Sequence, residues 1–167
     1  MSKAMSLDLK LRNLCLTGMI DQMETLAQRA QHEGWTFIRY VEHLCDVELA
    51  ERARRKTERL LKQAALLEGK TLESLNQDDL PLKIRRQLPT LLEGAWVERA
   101  ENILAFGLPG RGKTHLACAI ARELILKLDC RVYFTTTFHL VQQLLIAKRD
   151  LKISALLDKL QRFDVII

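Results

Sequence analysis

The chain has 167 residues, enough for one ordinary domain or for a small domain joined to part of a second. Hydrophobic residues make up 48% and charged residues 28%, which excludes wholesale disorder, and the net charge of +5 allows a polyanionic partner without requiring one. No run approaches the roughly 18 apolar residues of a membrane span, so we expect a soluble, cytoplasmic protein with no membrane partner.

The cysteines and histidines lack the spacing of a metal site. Cys15, Cys45, Cys118 and Cys130 are far apart with no CxxC pair, and the chain has no HExxH. We therefore expect free thiols and no metal held by these side chains.

The first part of the chain, residues 7–67, is predicted to be helical, because apolar side chains recur there every three or four positions. Gly34 is expected to end one helix. Thr36 can cap a second helix, which begins near Phe37 and continues to about Leu67.

A stripe of basic side chains lies on one face of that second helix, because its members recur at steps of three or four residues. The stripe consists of Arg52, Arg55, Arg59 and Lys62. Such a face can follow a DNA backbone through phosphate contacts. Glu48, Glu51 and Glu58 lie about one turn away, so the stripe can equally be a solvated face balanced by ion pairs.

The second part of the chain alternates apolar runs with helical patterns after a boundary near residues 67–75. A strand is predicted at 102–107, followed by a glycine-rich turn. This alternation indicates an α/β fold with a parallel sheet behind a helical N-terminal region. The other predicted elements are a short helix over 88–98, a helix over 113–128, a strand over 131–136, helices over 140–148 and 151–160, and a third strand from Phe163.

The glycine-rich turn, Gly107-Leu-Pro-Gly-Arg-Gly-Lys-Thr114, matches the pattern GxxxxGK[ST]. Its glycines let the backbone N–H groups approach phosphate oxygens, and the helix that follows adds its positive N-terminal end. Lys113 supplies a cation for the outer phosphates, and the Thr114 hydroxyl is a magnesium ligand. The predicted cofactor-binding residues are Gly107, Leu108, Pro109, Gly110, Arg111, Gly112, Lys113, Thr114 and His115, with Thr114 also the metal ligand.

The residues around this turn resemble a known family. Gly-Arg-Gly-Lys-Thr-His-Leu-Ala (110–117), preceded by Val97-Glu-Arg-Ala-Glu-Asn-Ile-Leu, is similar to the IstB/DnaC-like AAA+ ATPases, which are insertion-sequence transposition helpers and helicase loaders. Arg59-Leu-Leu-Lys-Gln-Ala and Lys70-Thr-Leu-Glu are similar to that family's linker. Val132-Tyr-Phe-Thr-Thr with Leu140-Val-Gln-Gln-Leu is similar to its second strand and the next helix.

The resemblance implies a helical DNA- and partner-binding region at 1–68 and the N-terminal part of an AAA+ P-loop ATPase domain at 69–167. It implies ATP and Mg²⁺ as cofactors. The implied partners are duplex DNA, a transposase or a replicative helicase, and further copies of the chain in a homo-oligomer. It also favours DNA contact by the basic stripe and a role in DNA transposition or DNA replication.

The chain departs from the family at its last strand. In the family that strand ends in two acidic residues that hold magnesium and polarise water. This chain ends at Phe163-Asp-Val-Ile-Ile167, and Asp164 lies at the other end of the apolar run. We therefore expect an ATPase truncated at the Walker B strand, with no catalytic residue of its own and weak or absent hydrolysis.

Two other functions remain open on the residues. A small P-loop kinase or phosphotransferase shares the phosphate loop, but no arginine-rich lid follows the third strand. A non-enzymatic module could bind a partner through its helical half and retain the loop as a vestige. Nucleotide binding separates that module from the ATP-binding interpretation.

Overall fold

The computed structural model describes the backbone of residues 2–167 and the side chains of residues 7–167. They form two compact units, which divide between Lys56 and Thr57, within a long helix. The elements are α1 (Ser2–Asn13), α2 (Thr17–Glu33), α3 (Phe37–Ala64), a 3₁₀ turn (Gln77–Asp79), α4 (Leu82–Glu93), α5 (Ala95–Glu98), α6 (Lys113–Leu128), β1 (Val132–Tyr133), α7 (Thr137–Arg149), α8 (Ile153–Leu160) and β2 (Val165–Ile166).

The first unit is helical, as the sequence pattern predicts. Gly34 ends α2 in the left-handed conformation, with φ of 64°, and its N–H donates to the carbonyl of Ala30. The Thr36 hydroxyl accepts from the N–H of Arg39 at 3.3 Å, which confirms Thr36 as a capping residue. The break between α1 and α2 at residues 14–16 has no glycine or proline, and the periodicity of the sequence does not signal it.

The start of α2 is capped from another helix. Glu48 on α3 is 4% exposed, and its Oε2 accepts from the N–H of Gly18 at 2.8 Å and of Met19 at 3.3 Å. Arg52 donates to the other carboxylate oxygen at 2.8 Å. These hydrogen bonds, that from Arg52 above all, lower the pKa of Glu48 although burial opposes the shift. The carboxylate therefore serves as the N-terminal cap that α2 lacks locally.

The core of the second unit surrounds α6. Its buried face includes Cys118, Ala121, Leu124 and Ile125. Apolar side chains from α3, α4 and both strands pack against this face, which therefore fixes the position of the turn before α6. They include Leu60, Ala64, Leu88, Val132 and Val165.

The sheet in the described residues consists of two short parallel strands. Val132 pairs with Val165 and Tyr133 with Ile166, and the chain passes through α7 and α8 between them. The parallel pairing confirms that part of the fold prediction, although a full sheet is not formed. α4 and α5 cover the predicted helix at 88–98 and begin earlier, at Leu82.

The predicted strand at 102–107 is wrong. This segment has no regular secondary structure and no backbone hydrogen bond to another segment of the described chain. Leu104 is 75% exposed and Phe106 is 88% exposed. An apolar run becomes a β-strand only when a neighbouring strand supplies backbone hydrogen bonds. In the described chain no neighbouring strand pairs with residues 102–107.

A cavity of about 360 Å³ lies next to this segment, and its lining combines apolar side chains with Glu101, Asn102 and Asp164. The segment, α6 and β2 all contribute to its wall. The wall includes Ile103, Ala105, Ile120, Leu124, Val165 and Ile167.

Candidate functional site

The glycine-rich turn has the open backbone that phosphate binding requires. Gly110 and Gly112 adopt φ of 77° and 76°, a left-handed conformation in which any side chain would be strained. A Cβ added at either position would meet nothing within 4 Å. The turn is therefore an exposed stretch of backbone that larger residues would strain, although they would not collide with a neighbour.

The N-terminal end of α6 is free to bind an anion. The helix begins at Lys113, and Gly112 at its N-cap contributes no side-chain hydrogen bond. The N–H of Leu116 bonds to the carbonyl of Gly112 at 2.9 Å, as in a regular helix. No side chain in the described part of the protein caps the N–H groups of the first turn. Those groups and the helix dipole together favour a phosphate at this end.

Lys113 folds its side chain back over the turn. Its Nζ donates to the carbonyl oxygens of Gly107 and Leu108, both at 2.9 Å. Among the residues whose side chains are described, no carboxylate forms an ion pair with it. The ammonium group is thus held by neutral carbonyls above the loop, where a phosphate can replace them as its partner.

Several other predicted loop residues are exposed to solvent. Thr114 is exposed, and its hydroxyl has no hydrogen bond to any described side chain or backbone group. Leu108, Pro109 and Arg111 are exposed as well. The described residues contain no cluster of three or more His, Cys, Asp or Glu side chains that could hold a metal. A hydroxyl such as Thr114 suits Mg²⁺, which usually keeps several waters and binds substrate phosphates.

His115 uses its side chain differently from the other loop residues. Its Nε2 lies 3.0 Å from the carbonyl oxygen of Thr71 and 3.1 Å from the Oγ of Ser74. Its backbone N–H remains in the first turn of α6, where an anion can bind. Thr71 and Ser74 were not predicted as site residues, because nothing in their local sequence indicates that they approach the loop.

The acidic side chain closest in sequence to β2 is already engaged. Asp164 accepts from the guanidinium of Arg131 at 2.8 Å and from its backbone N–H at 2.7 Å. The hydrogen bond from the Arg131 side chain is the main reason that the pKa of Asp164 is lowered. This carboxylate therefore fastens the beginning of β2 to β1 and is not directed to the phosphate loop by any hydrogen bond.

The basic stripe is divided into two pairs. Arg52 binds Glu48 at 2.8 Å, and Arg55 binds Glu51 at 2.6 Å and the Thr17 hydroxyl at 2.6 Å. Arg54 and Arg55 hold the pKa of Glu51 at about 2. These contacts match the interpretation of a balanced, solvated face for the first pair.

The second pair, Arg59 and Lys62, is exposed. Neither side chain forms an ion pair or hydrogen bond with a residue in the described part of the chain. These two cations remain available to an external polyanion.

The model of one protein family covers nearly the whole chain. The family described as "IstB-like ATP binding protein" matches residues 9–167. The chain belongs to this family. The phosphate loop and the first turn of α6 both lie within the matched region, which supports nucleotide binding as a family property.

Relatives in the IstB-like family are ATP-binding proteins of bacterial insertion sequences. One from Sinorhizobium fredii is 44% identical over 142 residues, which cover 84% of this chain and 47% of the relative. That of IS5376 in Geobacillus stearothermophilus is 31% identical, with 84% and 55% covered. That of IS21 in Pseudomonas aeruginosa is 33% identical, with 96% and 60% covered. The chain thus spans about half the length of the curated relatives it matches.

No helix among residues 2–167 is both long enough and apolar enough to cross a membrane.

Proposed function

We propose that this IstB-like chain binds ATP with Mg²⁺ at residues 107–115 and acts on duplex DNA together with the transposase of an insertion sequence. The observation that carries the proposal is the uncapped first turn of α6 behind an open glycine turn, with Lys113 above it. This is an arrangement for the phosphates of a nucleotide.

Each loop residue has a defined part in the proposed site. The N–H groups of the first turn of α6 bind phosphate oxygens, and Lys113 exchanges its two carbonyl partners for the outer phosphates. The Thr114 hydroxyl supplies one ligand to Mg²⁺, which neutralises part of the phosphate charge when bound. Arg111, exposed at the tip of the turn, adds positive charge beside it.

The DNA contact is assigned to the basic stripe of α3. Arg59 and Lys62 are exposed and unpaired within the described chain, so they can bind phosphates without first breaking an internal ion pair. Arg52 and Arg55 would have to leave Glu48 and Glu51 to do the same. We therefore expect Arg59 and Lys62 to contribute more to DNA affinity than the other two.

The transposase is proposed as the protein partner because the relatives are named for insertion sequences. A replicative helicase is the alternative partner that the family resemblance allows. Homo-oligomers are proposed for the longer members of the family, in which copies of the chain would surround or line the DNA.

Two other functions have less support. A kinase or phosphotransferase would need a second substrate site beside the loop, whereas the relatives of this chain are named as ATP-binding proteins of insertion sequences. A partner-binding module with a vestigial loop would not need the open turn and the uncapped helix end that this chain retains.

The test is DNA binding with and without nucleotide. Labelled duplexes of unrelated sequence are titrated with the 167-residue chain, and the anisotropy is measured without nucleotide and with MgATP. We expect MgATP to change the DNA affinity of the parent and of Lys127→Ala, a lysine at the other end of α6, but not that of Lys113→Ala. If MgATP leaves the DNA affinity of all three proteins unchanged, the partner-binding module with a vestigial loop is favoured.

The partner is tested by co-expression. The chain is co-expressed with the transposase encoded in the same insertion sequence and with the replicative helicase of the same host. Purification of the transposase with the parent but not with Lys113→Ala would support the proposal. Purification of the helicase alone would favour the loader alternative.

A further inference from the structure

The ring of His115 joins the phosphate loop to a second loop, residues 69–74, which follows α3. Because the carbonyl of Thr71 can only accept, the Nε2 of His115 carries the proton and donates to it at 3.0 Å. The Ser74 hydroxyl lies 2.6 Å from the carbonyl oxygen of Gly69 and donates its hydrogen there. The Ser74 Oγ therefore accepts from His115 at 3.1 Å. The two acceptors therefore assign a proton to Nε2.

The loop at 69–74 is a compact polar turn. The N–H of Thr71 donates to the Oγ of Ser74 at 3.0 Å, and the N–H of Ser74 donates to the Oγ1 of Thr71 at 3.1 Å. Leu72, which is partly buried, packs against the core of the second unit. In the described chain, the hydrogen bonds that join this loop to another helix or strand all end on His115. The polar side of the loop is thus attached to the unit through a single side chain.

His115 also belongs to the anion-binding end of α6. It is the third residue of that helix, so its N–H is one of the first-turn groups that have no intrahelical acceptor. The same residue thus offers its N–H to a phosphate and its ring to the loop. Since the backbone of the first turn is rigid once the helix has formed, a ligand that fixes the N–H also restrains the Cα from which the ring extends towards Thr71 and Ser74.

We propose that His115 is a positioning residue that makes the loop at 69–74 respond to nucleotide: capture of the phosphates by α6 tightens the docking of this loop. This inference rests on the proposed nucleotide binding. The loop follows α3 after residues 65–68, so its docking changes close in the chain to the helix end that carries Arg59 and Lys62.

The test is hydrogen–deuterium exchange of the 167-residue chain, with and without a non-hydrolysable MgATP analogue. In the parent, the analogue should slow exchange of the peptides over 69–75 several-fold. His115→Gln should keep this response because its amide nitrogen reaches the position of Nε2. His115→Asn places its amide nitrogen nearer to Nδ1, so it should lose the response, as should His115→Ala.

The peptides over 107–114, followed in the same spectra, separate the possible failures. If the analogue does not protect them in the parent, the proposed nucleotide binding and this inference both fall. If it protects them and the response of 69–75 is unchanged in His115→Ala and His115→Asn, only the inference falls.

Ser74→Ala provides a second route to the same answer. It removes one of the acceptors of His115 without touching α6, so the response of 69–75 should shrink while protection of 107–114 persists. Should the His115 variants fail to fold, an undiminished response in Ser74→Ala would overturn the inference.

Discussion

Glu48 joins two helices of the first unit through a buried carboxylate. Its carboxylate accepts from the first turn of α2 and from Arg52, and a Cβ added at Gly18 would lie 3.0 Å from it. Sequence alone suggested Glu48 as an ion-pair partner for basic residues one turn away. The buried role depends on the packing of α2 against α3, which helical periodicity does not specify.

Replacing Glu48 by Gln should lower the stability of the protein at pH 7 by about 1–2 kcal/mol, because the charge-assisted hydrogen bonds weaken. The pKa of Glu48 is below its ordinary value of 4.5 in the folded chain. Its contribution is therefore complete above that value and is lost as the pH falls through the lowered pKa. Urea unfolding of parent and variant should give a difference at pH 7 that shrinks below about pH 4.

A matched control is Glu42→Gln, which changes an exposed glutamate of the same helix. It should leave stability within about 0.5 kcal/mol of the parent. A Glu48→Gln difference that is independent of pH would contradict the role assigned to the charged form.

Gly94 provides a residue-scale test in the second unit. It lies between α4 and α5 with φ of 77°, and an added Cβ would collide with the side chain of Leu128 and come within 3.0 Å of that of Leu124. We expect Gly94→Ala to destabilise the protein by about 1–3 kcal/mol. Gly69→Ala has a similar φ of 69° but open space, so it should be the milder change in thermal unfolding.

At the scale of elements, α3 was the most predictable and the first strand the least. The absence of Gly and Pro between Phe37 and Leu67 indicated one long helix, and α3 ends three residues before Leu67. Helices satisfy their own backbone, so local pattern is enough to identify them. The run at 102–107 has the composition of a strand, but a strand depends on a partner elsewhere in the chain.

The candidate site divides in the same way. The loop residues from Gly107 to Thr114 could be proposed from the sequence because the motif is contiguous, and they stay a prediction. The contacts of His115 with Thr71 and Ser74 were not, because they join positions more than 40 residues apart through tertiary packing.

The basic stripe of α3 yields a prediction for the element. Arg59→Gln with Lys62→Gln should weaken binding to unrelated duplexes to a similar extent. It should also reduce the slope of log K against log salt by roughly 0.9 for each DNA phosphate that the variant no longer neutralises. Arg52→Gln with Arg55→Gln is the matched control, since these side chains are already paired with glutamates. If log K falls with log salt at the same slope in the parent and in the Arg59/Lys62 variant, these two side chains do not contact DNA and belong to a solvated face.

At the scale of the whole molecule, the proposed nucleotide site is local in sequence, whereas we expect hydrolysis to need groups that lie farther along the chain. The loop, Lys113 and Thr114 are consecutive, but the acid beside β2, Asp164, is engaged by Arg131. We expect the 167-residue chain to bind ATP without useful turnover, because Asp164 is held by Arg131 and no carboxylate in the described part of the chain is hydrogen-bonded to the loop. Phosphate release, with and without duplex DNA, is the measurement. Multiple turnovers that disappear in Lys113→Ala would contradict this and direct attention to Asp150, Asp158 and Asp164.

The central claim is that the phosphate loop of this IstB-like chain binds nucleotide. The most direct measurement is calorimetric titration of MgATP into the 167-residue chain, its Lys113→Ala variant and the Lys127→Ala control. We predict one binding site per chain, kept in Lys127→Ala and weakened by about 10–100-fold or more in Lys113→Ala, because the ammonium partner of the outer phosphates is gone. Equal affinity in the parent and in Lys113→Ala would contradict the assignment of the site.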